Sequence, residues 1–230
     1  MQSHLFSGSK FPPACFSSWA TLIVVALAVT TPSELVAQQS PTGTSVRIGS
    51  TINLLKAWPQ IAAAPKSNLA TFECLIKPDA VTISRSRAFV IVLSNRGGRD
   101  TAGIGVAIHQ GIVHANILGT KLKSNDKLAV GKWAHIALTI NTNTINKVAR
   151  LWVNGKPTDE ELVLKPWPQS FEVAEMLSDH WNQNRVFTGE LGDVRFSNVV
   201  RYSSPFKPAS RLPKDDDTVL RFEKGSIESR

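Results

Sequence analysis

The stretch Gly131–Gly155, GKWAHIALTINTNTINKVARLWVNG, restricts the fold of this chain more than any other part of it. In its first half Ala134, Ile136, Leu138 and Ile140 alternate with Trp133, His135, Ala137 and Thr139. In its second half Ala149, Leu151 and Val153 alternate with Val148, Arg150 and Trp152. Side chains that repeat every second residue point to opposite faces of a strand, so each half predicts a strand with one buried face. Asn141-Thr142-Asn143-Thr144 lies between them, and such side chains bond their own backbone and favour a loop. Asn154-Gly155 supplies two residues that accept positive φ, the requirement of a tight hairpin turn.

The same reading extends along the chain. Strands are expected over 45–55, 69–78, 88–94, 103–109, 112–118, 162–164, 185–200 and 219–222, with a turn at Asn95–Asp100 and a hairpin around Gln110-Gly111. Ala88–Ser94 is apolar enough to be buried on both faces. The segment 165–184 reads as irregular, with a short helical turn at Glu172–Ser178. Strands recurring about every ten residues between turn signals indicate an all-β sandwich or barrel. No long segment of helical period is present to cover a sheet, which argues against an α/β fold. Hydrophobic residues make up 42% of the 230, enough for a full core, so disorder does not describe the whole chain.

The first 37 residues stand apart. Lys10 is followed by an unbroken apolar run, Trp19–Val29, then Pro32 and Leu35-Val36-Ala37 before Gln38. A basic start, a short apolar run and a small residue at the end predict a secretory signal peptide, 1–37, cleaved after Ala37; an uncleaved anchor is the alternative. The run is shorter than the roughly 20 residues a membrane span requires. An exported protein, secreted, periplasmic or at the cell surface, is therefore expected, with a linker at 38–44, one domain over 45–225 and a tail at 226–230. Cys74 is then the one cysteine left. It reads as a buried small hydrophobe, since no base or metal-like spacing surrounds it.

The formal charge is +8, and removing 1–37 takes away one Lys and one Glu and leaves it unchanged. The basic residues are spread out, whereas nucleic-acid binders gather them on a helix or patch. Nucleic acid is not an expected partner. Weak attraction to anionic polysaccharide or to the cell envelope is the functional consequence of such a charge.

Taken in order, TFECLIKP, SNRGG, KWAHIALTI, ARLWVNGK and VFTGELGDVRFSNVVRY resemble the laminin-G-like, concanavalin A-like jelly-roll modules of exported bacterial proteins. The resemblance is carried by Trp133 and His135, by Val153-Asn154-Gly155, and by Phe187, Gly189, Asp193, Val194 and Arg195. It covers about 45–225, and departs from the family where Gly192-Asp193 stands for two adjacent aspartates. It implies a two-sheet antiparallel jelly-roll sandwich that binds glycans or other proteins, sometimes with calcium. It also leaves open a glycoside hydrolase or lyase on the same scaffold, or a structural envelope module without a ligand.

A retaining hydrolase needs two carboxyls about 5–5.5 Å apart. Glu190 and Asp193 are the nearest pair in sequence, but their odd spacing directs them to opposite faces of a regular strand. Glu73 has no partner nearby in sequence, and Asp159-Glu160-Glu161 is a charge run beside a turn. No catalytic residue is assigned. Calcium takes oxygen ligands from loops, which Asn95 with Asp100, or Asp215-Asp216-Asp217, offer. The same residue types are also ordinary turn formers.

Alternation puts His109, His114, Asn116, His135, Thr139, Arg150 and Trp152 on the faces opposite the core. If their strands are neighbours, these planar hydrogen-bonding groups and an aromatic ring form one ligand-binding face. Trp167 and Trp181, with His180 and Asn182, make a second candidate edge. Alternation alone also predicts an ordinary wet face, with Trp133 and Trp152 filling gaps under loops. The expected role is non-catalytic recognition of a glycan or an extracellular protein.

Overall fold

The computed structural model describes residues 46–48, 52–54, 68–94, 103–143, 147–159, 161–162, 171, 173–177, 185–223 and 226–229. The chain divides into two units between Val36 and Ala37, and every described residue belongs to the second. The expected signal peptide and the linker at 38–44 lie outside the described residues, as do Asn95, Asp100, Trp167 and Trp181.

The described strands are β1 (Val46–Ile48), β2 (Ile52–Asn53), β3 (Leu69–Pro78), β4 (Ala88–Ser94), β5 (Gly103–His109), β6 (Ile112–Ile117), β7 (Thr120–Lys127), β8 (Ala134–Asn141), β9 (Val148–Val153), β10 (Lys156–Pro157), β11 (Glu161–Leu162), β12 (Val173–Met176), β13 (Gly189–Ser197), β14 (Thr218–Glu223) and β15 (Ser226–Ser229). One short helix, α1 (Ala80–Ser84), is capped by Asp79, whose side chain accepts from the Thr82 amide at 2.8 Å.

Two antiparallel sheets result. In the first the order is β10-β9-β8-β3-β13-β14-β15, with β1 also on β13 and β11 also on β9. In the second it is β2-β12-β4-β5-β6-β7. Strands far apart in sequence lie side by side, β3 between β8 and β13 and β12 beside β4. That crossing pattern makes the molecule a jelly-roll sandwich and not a simple meander.

The opening pair behaves as its alternation predicts. Ile136 faces Val153, Leu138 faces Leu151 and Ile140 faces Ala149 across β8 and β9, all in the core. Asn154 and Gly155 take φ of 52° and 75° and turn the chain into β10. Phe72, Cys74 and Ile76 of β3 join this layer and meet Ile104, Val106, Ile108, Val113 and Ile117 from the second sheet. Each such buried aliphatic or aromatic side chain contributes about 1.5–3 kcal/mol relative to exposure. Cys74 is a free, fully buried thiol, as expected. Burial pushes its pKa far up, and the neighbouring Glu73 charge adds to this, so it stays protonated and inert.

Several segments differ from the sequence expectation, among them 45–55, which holds β1 of the first sheet and β2 of the second instead of one strand. Thr120–Lys127, not anticipated as a strand, is β7; its inward residues are Thr120, Leu122 and Ser124, so one apolar side chain carries the pattern. Ser124 is nevertheless satisfied, accepting from the Val113 amide at 3.0 Å and donating to the Asp126 carbonyl at 2.8 Å. The expected helical turn at 172–178 is instead β12, whose residues pair with β4. Of the strand expected at 162–164, Leu162 lies in β11, and 163–164 are outside the described residues. The stretch read as a tail carries β15, antiparallel to β14.

Candidate functional site

The first sheet's outer face carries an alternation of polar and aromatic side chains. Rows run from Trp152 through Ala137 and Glu73 to Arg195 and Arg221, and from Arg150 through Thr139 and Thr71 to Ser197. Water does not reach most of this face, because residues 198–213 cross it as an extended strap. The Thr71 hydroxyl donates to the Val199 carbonyl at 2.6 Å and accepts from the Arg201 amide at 3.1 Å. Further along, the Phe206 amide donates to the Gly155 carbonyl at 3.1 Å and the Leu212 amide to Asp193 Oδ2 at 2.8 Å. Tyr202 and Phe206 stack on each other with ring centroids 3.7 Å apart and planes 7° from parallel. Both pack against His135 and Trp152.

Beneath the strap, Glu73 is fully buried and its two oxygens are shared among cations and hydroxyls. Arg195 donates from Nε to Oε1 at 2.8 Å and places Nη2 2.7 Å from the same oxygen. The Tyr202 hydroxyl donates to Oε2 at 2.6 Å, and His135 Nε2 lies 3.0 Å from it. Burial raises the carboxyl's pKa, but the hydrogen bond and charge of His135, with Arg195 and Tyr202, outweigh it and hold Glu73 below the usual carboxylate range. Tyr202, buried beside this negative charge, is pushed well above the ordinary phenol. Glu73 is thus an ionised acceptor that fixes the strap, and His135 must donate its Nε2 proton to it.

Two of the expected ligand-binding residues are therefore structural. His135 and Trp152 have no exposed surface, and the indole N–H donates to Thr139 Oγ1 at 3.0 Å. Arg150 is half-buried, its guanidinium 5.4 Å from the Trp152 ring centroid. The expectation of a single face uniting these residues with His109, His114 and Asn116 is corrected: the latter three lie on the second sheet. Strand neighbourhood decides such a face, and alternation does not report it.

Glu190 and Asp193 do not point to opposite faces as their spacing predicts. A bulge between Leu191 and Val194 sets both Gly192 and Asp193 opposite Leu75, so the spacing does not alternate regularly. Glu190 pairs with Lys77 at 2.8 Å. Asp193 accepts from the strap and lies 3.7 Å from Arg221. Asp215, considered as a calcium ligand, is held by Arg201 at 2.6 and 2.8 Å and by Thr218 at 2.7 Å. The Arg201 hydrogen bond pulls its pKa far down. Among the described residues no group of three or more His, Cys, Asp or Glu side chains gathers as a metal site would.

The second sheet's outer face is organised differently. Because Ile104, Val106 and Ile108 of β5 enter the core, the outward residues of that strand are Gly103, Gly105 and Ala107. On one side stand Phe89 and Val92 of β4; on the other stand His114 and Asn116 of β6. A side chain built at Gly105 would touch the Phe89 ring at 3.7 Å, which shows that the ring borders an open position. Gly105 thus leaves a trough on β5 between an aromatic wall and a planar, hydrogen-bonding wall, while Ala107 is buried and the Leu93 carbonyl and Ser94 close the place beside Gly103. His109, His114, Asn116 and Phe89 are half-buried, and Arg87, Lys121 and Lys123 are exposed around them. The His109 and His114 rings are 5.6 Å apart. The Asn116 side-chain carbonyl has no hydrogen-bond partner among the described residues. Sequence reasoning named His109, His114 and Asn116 but passed over Phe89 and the glycines. The outward Gly-x-Gly-x-Ala pattern in an otherwise apolar strand was the available signal.

The described strands thus form a two-sheet antiparallel sandwich with a strap across the outer face of the first sheet. The chain belongs to the concanavalin A-like lectin/glucanases superfamily, whose laminin G profile matches residues 55–204. Solved structures place the fold in the same group. A Bacteroides ovatus protein described as carbohydrate-binding superposes with a TM-score of 0.51 at 16% identity, over 78% of this chain and 48% of that one. The NanB sialidase of Streptococcus pneumoniae gives a TM-score of 0.51 at 14% identity, over 70% of this chain and 26% of the sialidase. The CBM40 of the Ruminococcus gnavus IT-sialidase gives 0.49 at 17% identity, over 69% of this chain and 91% of that module. This chain therefore spans about half of the first protein and a quarter of the second. No curated protein sequence matches it.

Proposed function

We propose that the protein is a non-catalytic carbohydrate-binding module whose sugar site is the trough along β5. The observation that carries this reading is Gly105, which bears no side chain between the Phe89 ring and Asn116. Sugars present C–H faces that stack on an aromatic ring and hydroxyls that pair with planar donors and acceptors. A depression with an apolar wall and a few placed polar groups suits that chemistry. The carbohydrate-binding description of the Bacteroides ovatus protein agrees with it. The basic start and apolar run at 10–29 favour action outside the cytoplasm, where free polysaccharide is met.

A glycan array on the protein, followed by titration calorimetry of the best ligand, tests the reading. Gly105→Leu fills the trough without touching the core and should lower affinity at least about tenfold, the cost of an ill-fitting group worth about 1.4 kcal/mol. Asn116→Ala should lower it about fivefold, the worth of one hydrogen bond. Wild-type affinity in the folded Gly105→Leu variant would remove the trough as the site.

A further inference from the structure

We infer that the β5 trough selects glycans bearing anionic groups, and that the His109–His114 pair makes it hold them more tightly as the medium acidifies. This rests on the carbohydrate reading of the trough and names its ligand class. Across the β6–β7 ladder Asn116 stands opposite Lys121 and His114 opposite Lys123, so the hydrogen-bonding wall is bordered by two exposed ammonium groups. At the β4 end the Arg87 guanidinium lies 5.9 Å from the Phe89 ring centroid. A sugar beside Phe89 therefore meets Arg87 over the ring and Lys121 and Lys123 beyond the opposite wall.

The charges that face His114 come from every element around it. They are His109 from β5, Arg87 ahead of β4 and Lys123 from β7, and none is an acid. The carboxylates of the neighbourhood are placed elsewhere. Asp126, at the end of β7, lies 3.1 Å from Lys156 Nζ. Glu175 of β12 is on the same face but buried, with Val92 and Gly105 between it and Asn116. Lys127, opposite Ile112, adds a further positive charge at the far end, while Arg85 is turned to the Val186 carbonyl at 2.7 Å. Like charges opposed across strands destabilise the sheet, and a bound carboxylate or sulfate relieves that repulsion through charge-assisted hydrogen bonds. Burial, then His109, Arg87 and Lys123, hold His114 below the ordinary histidine range, so the free trough gains this proton only in acid. An anion beside the ring favours the charged form, binding takes up a proton, and affinity rises as pH falls.

Titration calorimetry at pH 7.5 and 5.0 tests the inference with oligogalacturonate and its methyl ester, and with a sulfated galactan and its desulfated form. The two acidic ligands separate carboxylate from sulfate recognition. The expected result is that at least one acidic ligand binds at least tenfold more tightly than its neutral counterpart. The same ligand should gain about tenfold on going to pH 5.0, the factor that a one-unit rise in one histidine's pKa brings. The double variant H109Q/H114Q should reduce that pH ratio to near one, whatever it does to affinity at pH 7.5. K121Q/K123Q should weaken the acidic ligand and flatten its salt dependence. Equal binding of neutral and acidic ligands overturns the inference and leaves the carbohydrate reading standing, as does a pH ratio that survives H109Q/H114Q. Duplex DNA competing as well as the acidic glycan overturns it in favour of general polyelectrolyte attraction. Failure of every glycan, neutral and acidic, removes both.

Discussion

Glu73 and Trp152 carry the energetic weight of the first sheet's outer face. Trp152 is wholly buried between the sheet and the Tyr202–Phe206 stack, so Trp152→Ala should cost about 3–5 kcal/mol in urea unfolding. In whatever fraction remains folded, glycan affinity should be unchanged, because the trough lies on the other sheet. Loss of affinity in the folded variant would return Trp152 to the binding site. Glu73 is exposed to the opposite question, of charge. Folded, its carboxyl is held below its ordinary pKa, so its contribution is complete above about pH 4.3 and drains away as pH falls from there towards the folded-state value. The melting temperature of the wild type should drop through that acid window, and Glu73→Gln should show a flatter profile from a lower starting point. That variant leaves Arg195 buried without its carboxylate, a change worth about 3–5 kcal/mol. An unchanged acid slope in Glu73→Gln would assign the acid loss to other carboxylates.

Among the elements, the strap at 198–213 decides which face of the first sheet meets water. Its docking depends on the turn at Gly155, where φ is +75° and a side chain would run into the Phe206 carbonyl. Gly155→Ala should therefore destabilise by more than about 1 kcal/mol, through the strained φ and the displaced strap together. A red shift of tryptophan emission at temperatures below the main transition would report the strap lifting from Trp152. A Gly155→Ala protein as stable as the wild type would show that the strap docks without this contact. The elements differ in how plainly the chain announces them. β8 and β9 are written in strict alternation of aliphatic residues with others. β7 is masked, because serine and threonine take two of its inward places. Within the strap, Pro205, Pro208 and Pro213 read as linker, since proline cannot enter a ladder. Its anchors are hydrogen bonds and stacked rings, which have no period.

For the whole molecule, a few of the 26 basic residues gather where the sequence shows no cluster. Arg87, just ahead of β4, and Lys121 and Lys123 of β7 come to the margins of the second sheet's trough. Acidic-ligand affinity should accordingly fall with salt more steeply than stability does, measured by calorimetry beside thermal melts across ionic strength. Parallel behaviour of the two would point to a general electrostatic effect. The chain alone determined the strands that alternate, their core faces and turns, and membership of an all-β sandwich, since period and turn chemistry are local properties. It also marked His109, His114 and Asn116 as outward-facing. Only the tertiary structure decided that the strap covers the first sheet's outward face. Alternation separates a core side from its opposite but does not encode what lies beyond it, and the residue that seals Glu73, Tyr202, is 129 positions away. The trough is built by β4, β5, β6 and β7, which pair in chain order, whereas β8, β3 and β13, which bury Glu73, become neighbours only through packing.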